Sequence, residues 1–309
     1  MYCTESLNPQ NTLSNKSYPQ QIYFMIVTPV HNLVGARVEG LKIVHNVDSN
    51  VASQLWSLLR RYDLLIIPNQ RLTDEQQIEF SKQLGPLETT KPGSPGAGTK
   101  LVKLSNLDTE GRPVEPSHRQ NLIRKANQLW HADSSFKPIP AKLSVLSARE
   151  IPDHGGETQF VNMRSVYRAL PKHEQERFDG YIAIHDFAHS RNMVDPDLMT
   201  NEERAALPPV RQPLTINHDK HRGRSLYIGS HVSHIEGLSK HRSEQLIDRL
   251  ITFSTQDKFI YSHNWKVHDL LIWNNLTVIH RGTPLPDPLI PRVLVRTTIA
   301  GDGPLITCV

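Results

Sequence analysis

In the stretch NQLWHADSSF, His131 and Asp133 lie two apart, so on a strand their imidazole and carboxylate would face the same way. A second histidine beside them would complete a two-histidine, one-carboxylate set, which suits non-haem Fe(II) because it leaves three positions for cosubstrate, oxygen or water. The triplet alone carries little: with 16 histidines in 309 residues, a His-x-Asp arises by chance roughly once, and a surface or structural role reads equally well. The candidate third ligand is His280, at the end of the apolar run LTVIH. Two arginines downstream single it out from the other histidines. Arg292 and Arg296 lie four apart on one face of RVLVRTTIA, with Val293, Val295, Thr297 and Ile299 on the other. Arginines turned into a strand-built interior need anions to pair with. Their roots would stand roughly 13 Å apart, far enough to serve two different anions. Without those arginines His280 would read as a hydrogen-bonded core histidine, and Arg296 taken alone could form a structural ion pair.

The elements that must position these residues are read from periodicity. SNVASQLWSLLRRY places Ala52, Leu55, Leu58 and Leu59 at helical spacing, and DLLIIPNQ comes next as a buried strand. TDEQQIEFSKQLG has the Thr73-to-Gln76 spacing of a capping box and a stop at Gly85. TKLVKLSN, NQLWHADSSF, AKLSVLSAREI and GETQFVNM then read as strands, separated by the polar LDTEGRPVEPSHRQNLIRK, which reads as a functional loop or lid. Residues 164 to about 210 read as short helices with proline stops, including TNEERAAL with a Thr200-to-Glu203 capping box. KHRSEQLIDRLITFSTQ is amphipathic, with Leu246, Leu250 and Ile251 on one side. The end returns to strands: KVHDLLIW, an Asn274-Asn275 turn suited to a hairpin, LTVIHRGT and RVLVRTTIAG. Residues 1–22, rich in Asn, Gln, Ser and Pro, read as a mobile tail, and 23–309 as one domain with a helical and loop insertion around 164–260. Strands on both sides of that insertion imply a barrel or sandwich with added helices rather than an alternating parallel sheet.

Composition narrows the function classes. The 35 basic and 31 acidic residues are interleaved, and no basic run is long or spaced with aromatics, so neither a nucleic-acid partner nor a membrane span is expected. Two cysteines, Cys3 and Cys308, are too few for a disulfide framework and fit a reducing, cytoplasmic setting. The pairs His231/His234 and His218/His221 could form further metal sites, but read as loop histidines near the mouth of the site. Trp130 and Trp273 read as core packing rather than substrate platforms.

The order WHAD, GGET, IWNNLTVIHRGT, RVLVRTT resembles the taurine and 2,4-dichlorophenoxyacetate dioxygenase family of Fe(II)/2-oxoglutarate enzymes, over nearly the whole chain from TPVHNLVGARVEG to TTIAGD. ANQLWHADSSF, PPVRQPL, RSLYIGSHVSHIEGL and NWKVHDLLIWNNLTVIHRG are similar to its dichlorophenoxyacetate branch. The resemblance implies a mainly β fold with added helices, the double-stranded β-helix or jelly roll. It makes His131, Asp133 and His280 the iron ligands, Thr158 and Arg292 the partners of the distal carboxylate of 2-oxoglutarate, and Arg296 the partner of a substrate carboxylate or sulfonate. The chain departs from the family pattern at Glu157, where an aspartate is usual, and in the loop RGTPLPDPLIP, one residue longer than expected. The implied reaction hydroxylates a small organic anion with O2, releasing succinate and CO2, and cleaves the ether when the substrate is an aryloxyalkanoate. A biosynthetic tailoring oxygenase and a non-catalytic jelly-roll binding protein are the other readings, and the family implies a dimer or tetramer.

Overall fold

The computed structural model describes residues 25–43, 49–90, 96–219 and 223–306; the expected tail at 1–22, both cysteines and His221 lie outside them. The strand Leu64–Ile67 is buried at all four residues, so both of its faces must be covered. It belongs to a seven-stranded sheet in the order Ile26–Pro29, Ala36–Glu39, Leu64–Ile67, Leu270–Asn274, Leu143–Glu150, Val293–Ile299, Val102–Ser105. Leu65 and Ile67, with Val145, Leu270 and Ile272, pack under the helices Ser49–Tyr62 and Asp74–Leu84 through Leu55, Leu59, Phe80 and Leu84. The alternate residues Leu64, Ile66, Leu271, Trp273 and Leu294 face the other way, onto Phe160 and Val278. Those two belong to a three-stranded antiparallel sheet in the order Ile260–His263, Thr158–Asn162, Val278–Gly282. The two sheets stack as the jelly roll the sequence implied. Val161 and Ile279, on the outer face of the smaller sheet, are covered by the helices Met163–Ala169 and Lys240–Ser254 through Val166, Ile247 and Leu250.

Local signals fix most element ends. The capping boxes at Thr73/Gln76 and Thr200/Glu203 both form. Gln77, wholly buried, pins the second helix to the larger sheet: its amide donates to the carbonyls of Val145 and Val295 and accepts from the Ser147 hydroxyl.

Five readings are corrected. The insertion read as helices and loops also holds strands: Ile182–His185, inside the stretch read as short helices, is the middle strand of a sheet with Val232–Ile235 and Val210–Pro213, and Thr215–Asp219 pairs with Gly223–Leu226. NQLWHADSSF is not a strand: its backbone meets the smaller sheet at an isolated bridge at His131 and at the Asn127 carbonyl, which accepts from the Gly282 N–H, and the chain then turns at Ser134, whose φ is 53°. The polar lid contains the helix Arg119–Ala126, begun by His118, whose Nδ1 accepts from the Gln120 N–H. Asn274-Asn275 does not close a hairpin, because Leu270–Asn274 and Val278–Gly282 belong to different sheets and the turn carries the chain between layers. The helix Lys240–Ser254 buries Ser243, Ile247, Leu250 and Ser254, with Leu246 and Ile251 only partly covered.

One buried cluster ties the layers together. Asp63, in a left-handed conformation (φ 61°) just before Leu64–Ile67, accepts at one carboxylate oxygen from Asn162 and Arg164 and at the other from the Thr277 hydroxyl. All three partners lie in or beside the smaller sheet. Removing one member of a buried ion pair strands the other charge. Asp63→Ala is therefore expected to cost about 3–5 kcal/mol of unfolding free energy; urea denaturation of variant and parent measures it, and a loss below about 1 kcal/mol would count against this role.

Candidate active site

A reciprocal pair of backbone hydrogen bonds founds the site: His131 N–H donates to the His280 carbonyl (3.0 Å) and His280 N–H to that of His131 (2.8 Å). It sets the two rings 4.3 Å apart, centroid to centroid. Asp133 closes the set, and one ligand atom from each of the three residues lies within 4.8 Å of the others. Among the described residues this is the only such group of His, Cys, Asp and Glu. Behind it, Gly229 packs so close that a Cβ there would meet His131 Cα and the Trp130 carbonyl at 3.1 Å each. Ser230 N–H donates to that carbonyl at 2.7 Å, so the loop presses the triplet against the smaller sheet.

The protonation states suit a divalent metal. Burial holds both imidazoles below the usual histidine range, His280 well below, so both are neutral with lone pairs to offer. His131 Nδ1 sits 2.7 Å from the Leu129 carbonyl, which selects the tautomer with Nε2 free for coordination. Burial alone would raise the Asp133 carboxyl, but the charge of Arg296 and a hydrogen bond from Ser144 outweigh it and keep the group ionised. The Ser144 hydroxyl donates to Asp133 Oδ2 at 2.6 Å, and Arg296 Nη1 donates to Oδ1. Asn275 extends this shell: its Oδ1 accepts from the Asp133 N–H and the Trp273 indole, and its amide donates to Ser144. Two neutral imidazoles and one held carboxylate, all buried and convergent, fit a non-haem Fe(II) centre. His280 Nδ1 is buried with no hydrogen-bond partner among the described residues, leaving donor capacity that protein groups do not take up.

The cleft beside this set is lined by seven basic residues and two carboxylates, a balance that attracts anions. Arg292, Leu294, Arg296 and Thr298 all reach it, so the expected alternation along this strand is present. Arg292 donates Nε and Nη2 to the Gly156 carbonyl at 3.1 and 2.8 Å, and its backbone N–H donates to Asn106. A Cβ on Gly156 would meet Arg292 Nε at 3.0 Å, and its φ of 67° disfavours other residues, which gives the GGET glycine a physical reason. Thr158 also lines the cleft, and its hydroxyl accepts from the Trp265 indole at 3.0 Å. Arg296 forms an ion pair with Asp133 and still has Nε without a partner among the described residues.

Of the other histidines, His231 lies in a loop and lines the cleft, with Nδ1 2.9 Å from the Ser190 hydroxyl. His234 stands on the strand Val232–Ile235, exposed, instead of in a loop. Trp273 packs wholly buried beneath His280, and Trp130 carries the Arg281 guanidinium 4.7 Å from its ring centre. Sequence reasoning missed Ser144, Asn275 and Trp265. All three lay inside quoted stretches, Ser144 in AKLSVLSAREI and Trp265 in NWKVHDLLIWNNLTVIHRG, but none was given a role there, and the Asn275 side chain does more than its turn propensity indicated.

A jelly roll holding a buried two-histidine, one-carboxylate set beside a cationic cleft defines the class of non-haem iron, 2-oxoglutarate-dependent dioxygenases. The chain belongs to the taurine catabolism dioxygenase TauD, TfdA family, whose model matches residues 27–298. It is 35% identical over 284 residues, 90% of this chain and 99% of the relative, to the alpha-ketoglutarate-dependent 2,4-dichlorophenoxyacetate dioxygenase of Cupriavidus pinatubonensis. It is 32% identical, over 89% of this chain and 95% of the relative, to the (S)-phenoxypropionate/alpha-ketoglutarate-dioxygenase of Sphingobium herbicidovorans. The crystal structure of AAD-2 in complex with Mn(II) and N-oxalylglycine superposes with a TM-score of 0.84 at 34% identity, covering 92% of this chain and 100% of that one.

The hydrogen bond from Ser144 orients Asp133 from behind, and loss of such a partner commonly costs about 10–100-fold in metal affinity. Ser144→Ala is expected to weaken Mn(II) binding by about that factor with little change in melting temperature. Calorimetric titration measures it, and unaltered affinity would remove Ser144 from the site.

Proposed function

We propose that this protein is an Fe(II)- and 2-oxoglutarate-dependent hydroxylase of a small organic anion, with an aryloxyalkanoate as the substrate class. One juxtaposition carries the reading: the buried His131, Asp133 and His280 share a cleft with Arg292 and Arg296, set on one face of a single strand. The named activities of the dichlorophenoxyacetate and phenoxypropionate relatives support the substrate class.

His131, Asp133 and His280 hold the metal in this reading. Thr158 and Arg292 take the distal carboxylate of 2-oxoglutarate: the Thr158 oxygen accepts from Trp265, so its own proton is free to be donated, and Arg292 offers a guanidinium fork. Arg296 holds Asp133 with one nitrogen and turns the other to the substrate acid. When bound together, Fe(II), 2-oxoglutarate and O2 supply the oxidising power to hydroxylate a C–H bond, with succinate and CO2 as co-products. The protein's part is placement, fixing both acids by their charged ends so that only a nearby carbon is presented, and excluding water from the buried ligand wall. A hydroxyl placed on a carbon bearing an ether oxygen gives a hemiacetal, which collapses to a phenol and an oxoacid.

A cytoplasmic setting and assembly as a dimer or tetramer belong to the same proposal, supported by the scarcity of cysteines and by the family resemblance. Among the described residues no helix is long and apolar enough to cross a membrane.

Anaerobic addition of Fe(II) and 2-oxoglutarate is expected to give the weak visible charge-transfer band of the chelate, absent in His131→Ala. In Arg292→Ala the dissociation constant for 2-oxoglutarate should rise at least ~30-fold, in line with loss of a buried charge pair. A folded wild-type protein that shows no band would overturn the cofactor assignment.

A further inference from the structure

The helix Phe187–Asn192 presents to the cleft a cation that none of these roles uses. Arg191 is buried, 6% exposed, and its Nε and Nη1 have no hydrogen-bond partner among the described residues. Burial, and then the neighbouring charge of Arg296, pull its pKa down to about 10. The two carboxylates that line the cleft are engaged elsewhere, Asp133 with Ser144 and Arg296, Glu88 with Ser134 and Lys137. The contact of Arg191 within the fold is the ring of Phe187, 4.3 Å from the guanidinium carbon, and the charge of Asp133, already taken up by Arg296, offsets its burial only in part. A cation–π contact contributes about 0.5–2 kcal/mol, whereas taking a cation out of water costs several. As a structural device Arg191 is destabilising, and the imbalance points to an anion that arrives with a ligand.

The surroundings describe that ligand. Phe187 stacks at 4.4 Å on Phe136, and both lie against the ring of His231, at 5.7 and 4.9 Å, so an aromatic wall stands beside the two arginines. All of these residues line the same cleft as Arg296. A carboxylate has about four lone-pair sites and can accept from two guanidinium groups at once. We propose that Arg191 is a second anchor for the substrate acid, sharing its carboxylate with Arg296, and that the Phe136/Phe187 wall receives an aromatic body attached to it. This rests on the dioxygenase reading for the placement of Arg296, but the two unpartnered nitrogens of Arg191 and the aromatic wall stand independently of it. The anchor sits on a helix between the strands Ile182–His185 and Val210–Pro213, outside both stacked sheets, so acid selection is divided between the jelly roll and its inserted region.

The test uses the protein loaded anaerobically with Fe(II) and 2-oxoglutarate and titrated calorimetrically with 2,4-dichlorophenoxyacetate and with its neutral methyl ester. Wild type is expected to bind the acid at least tenfold more tightly than the ester. Arg191→Met should weaken the acid at least tenfold while the ester stays within twofold, with Arg191→Lys between. The chelate band should form in all three proteins. The melting temperature of metal-free Arg191→Met should equal or exceed that of wild type, because an uncompensated buried charge has gone. Acid binding within twofold of wild type in Arg191→Met, equal weakening of acid and ester, or binding of neither probe by wild type overturns the proposal. A fall of several degrees in melting temperature makes Arg191 a structural residue and overturns it too. Should wild type form no chelate, the cofactor reading has failed instead, and the same acid-against-ester titration of the metal-free protein still decides the anchor.

Discussion

A carboxylate as deeply buried as Asp133 survives as an anion only if positive or hydrogen-bonding groups are brought to it, and this requirement organises the mouth of the fold. Its partners come from separate elements, Ser144 from one central strand of the larger sheet and Arg296 from the strand beside it, while the neutral imidazoles of His280, on the smaller sheet, and His131, on the turn bridged to it, face the same carboxylate. Holding one charge therefore fixes the turn that carries Asp133 against two strands of the larger sheet, and the backbone bridge between His131 and His280 ties the same turn to the smaller one. Burial leaves the two imidazoles neutral while Arg296 and Ser144 keep the carboxylate ionised, the states in which such groups can bind a metal.

A cleft so rich in cations works against folding, since like charges gathered in a poorly solvated space repel. The opposing contribution comes from the two-sided core. Each residue of Leu64–Ile67 is almost wholly buried, and full burial of such a side chain stabilises by about 1.5–3 kcal/mol. Gln77 and Asp63 add directional ties between layers that apolar packing lacks. Apolar layers provide stability, and the open end spends part of it on chemistry.

Much of this was legible in the amino-acid order. Two-residue alternation and capping boxes marked the long strands and helices, and the spacing of Arg292 and Arg296 correctly gave them a common face. The shared orientation of His131 and Asp133 was anticipated for the wrong reason: a turn and a single backbone bridge bring them together, and local propensity does not report a pairing with a residue about 150 positions away. Asn275 looked like turn chemistry because its local preference masks a long-range role. Arg191 gave no signal at all, since an arginine on a short polar helix is ordinary until its surroundings are known.

The site is also a seam. Thr158 and His280 stand on the smaller sheet, Arg292 and Arg296 on the larger, and the cleft runs between them. A dicarboxylate held by Thr158 and Arg292 would stitch one layer to the other, and the metal would draw Asp133, already hydrogen-bonded to the larger sheet through Ser144, toward His280 on the smaller. Loading the enzyme would then be mechanical as well as chemical, with each bound species acting as a cross-brace between the two layers.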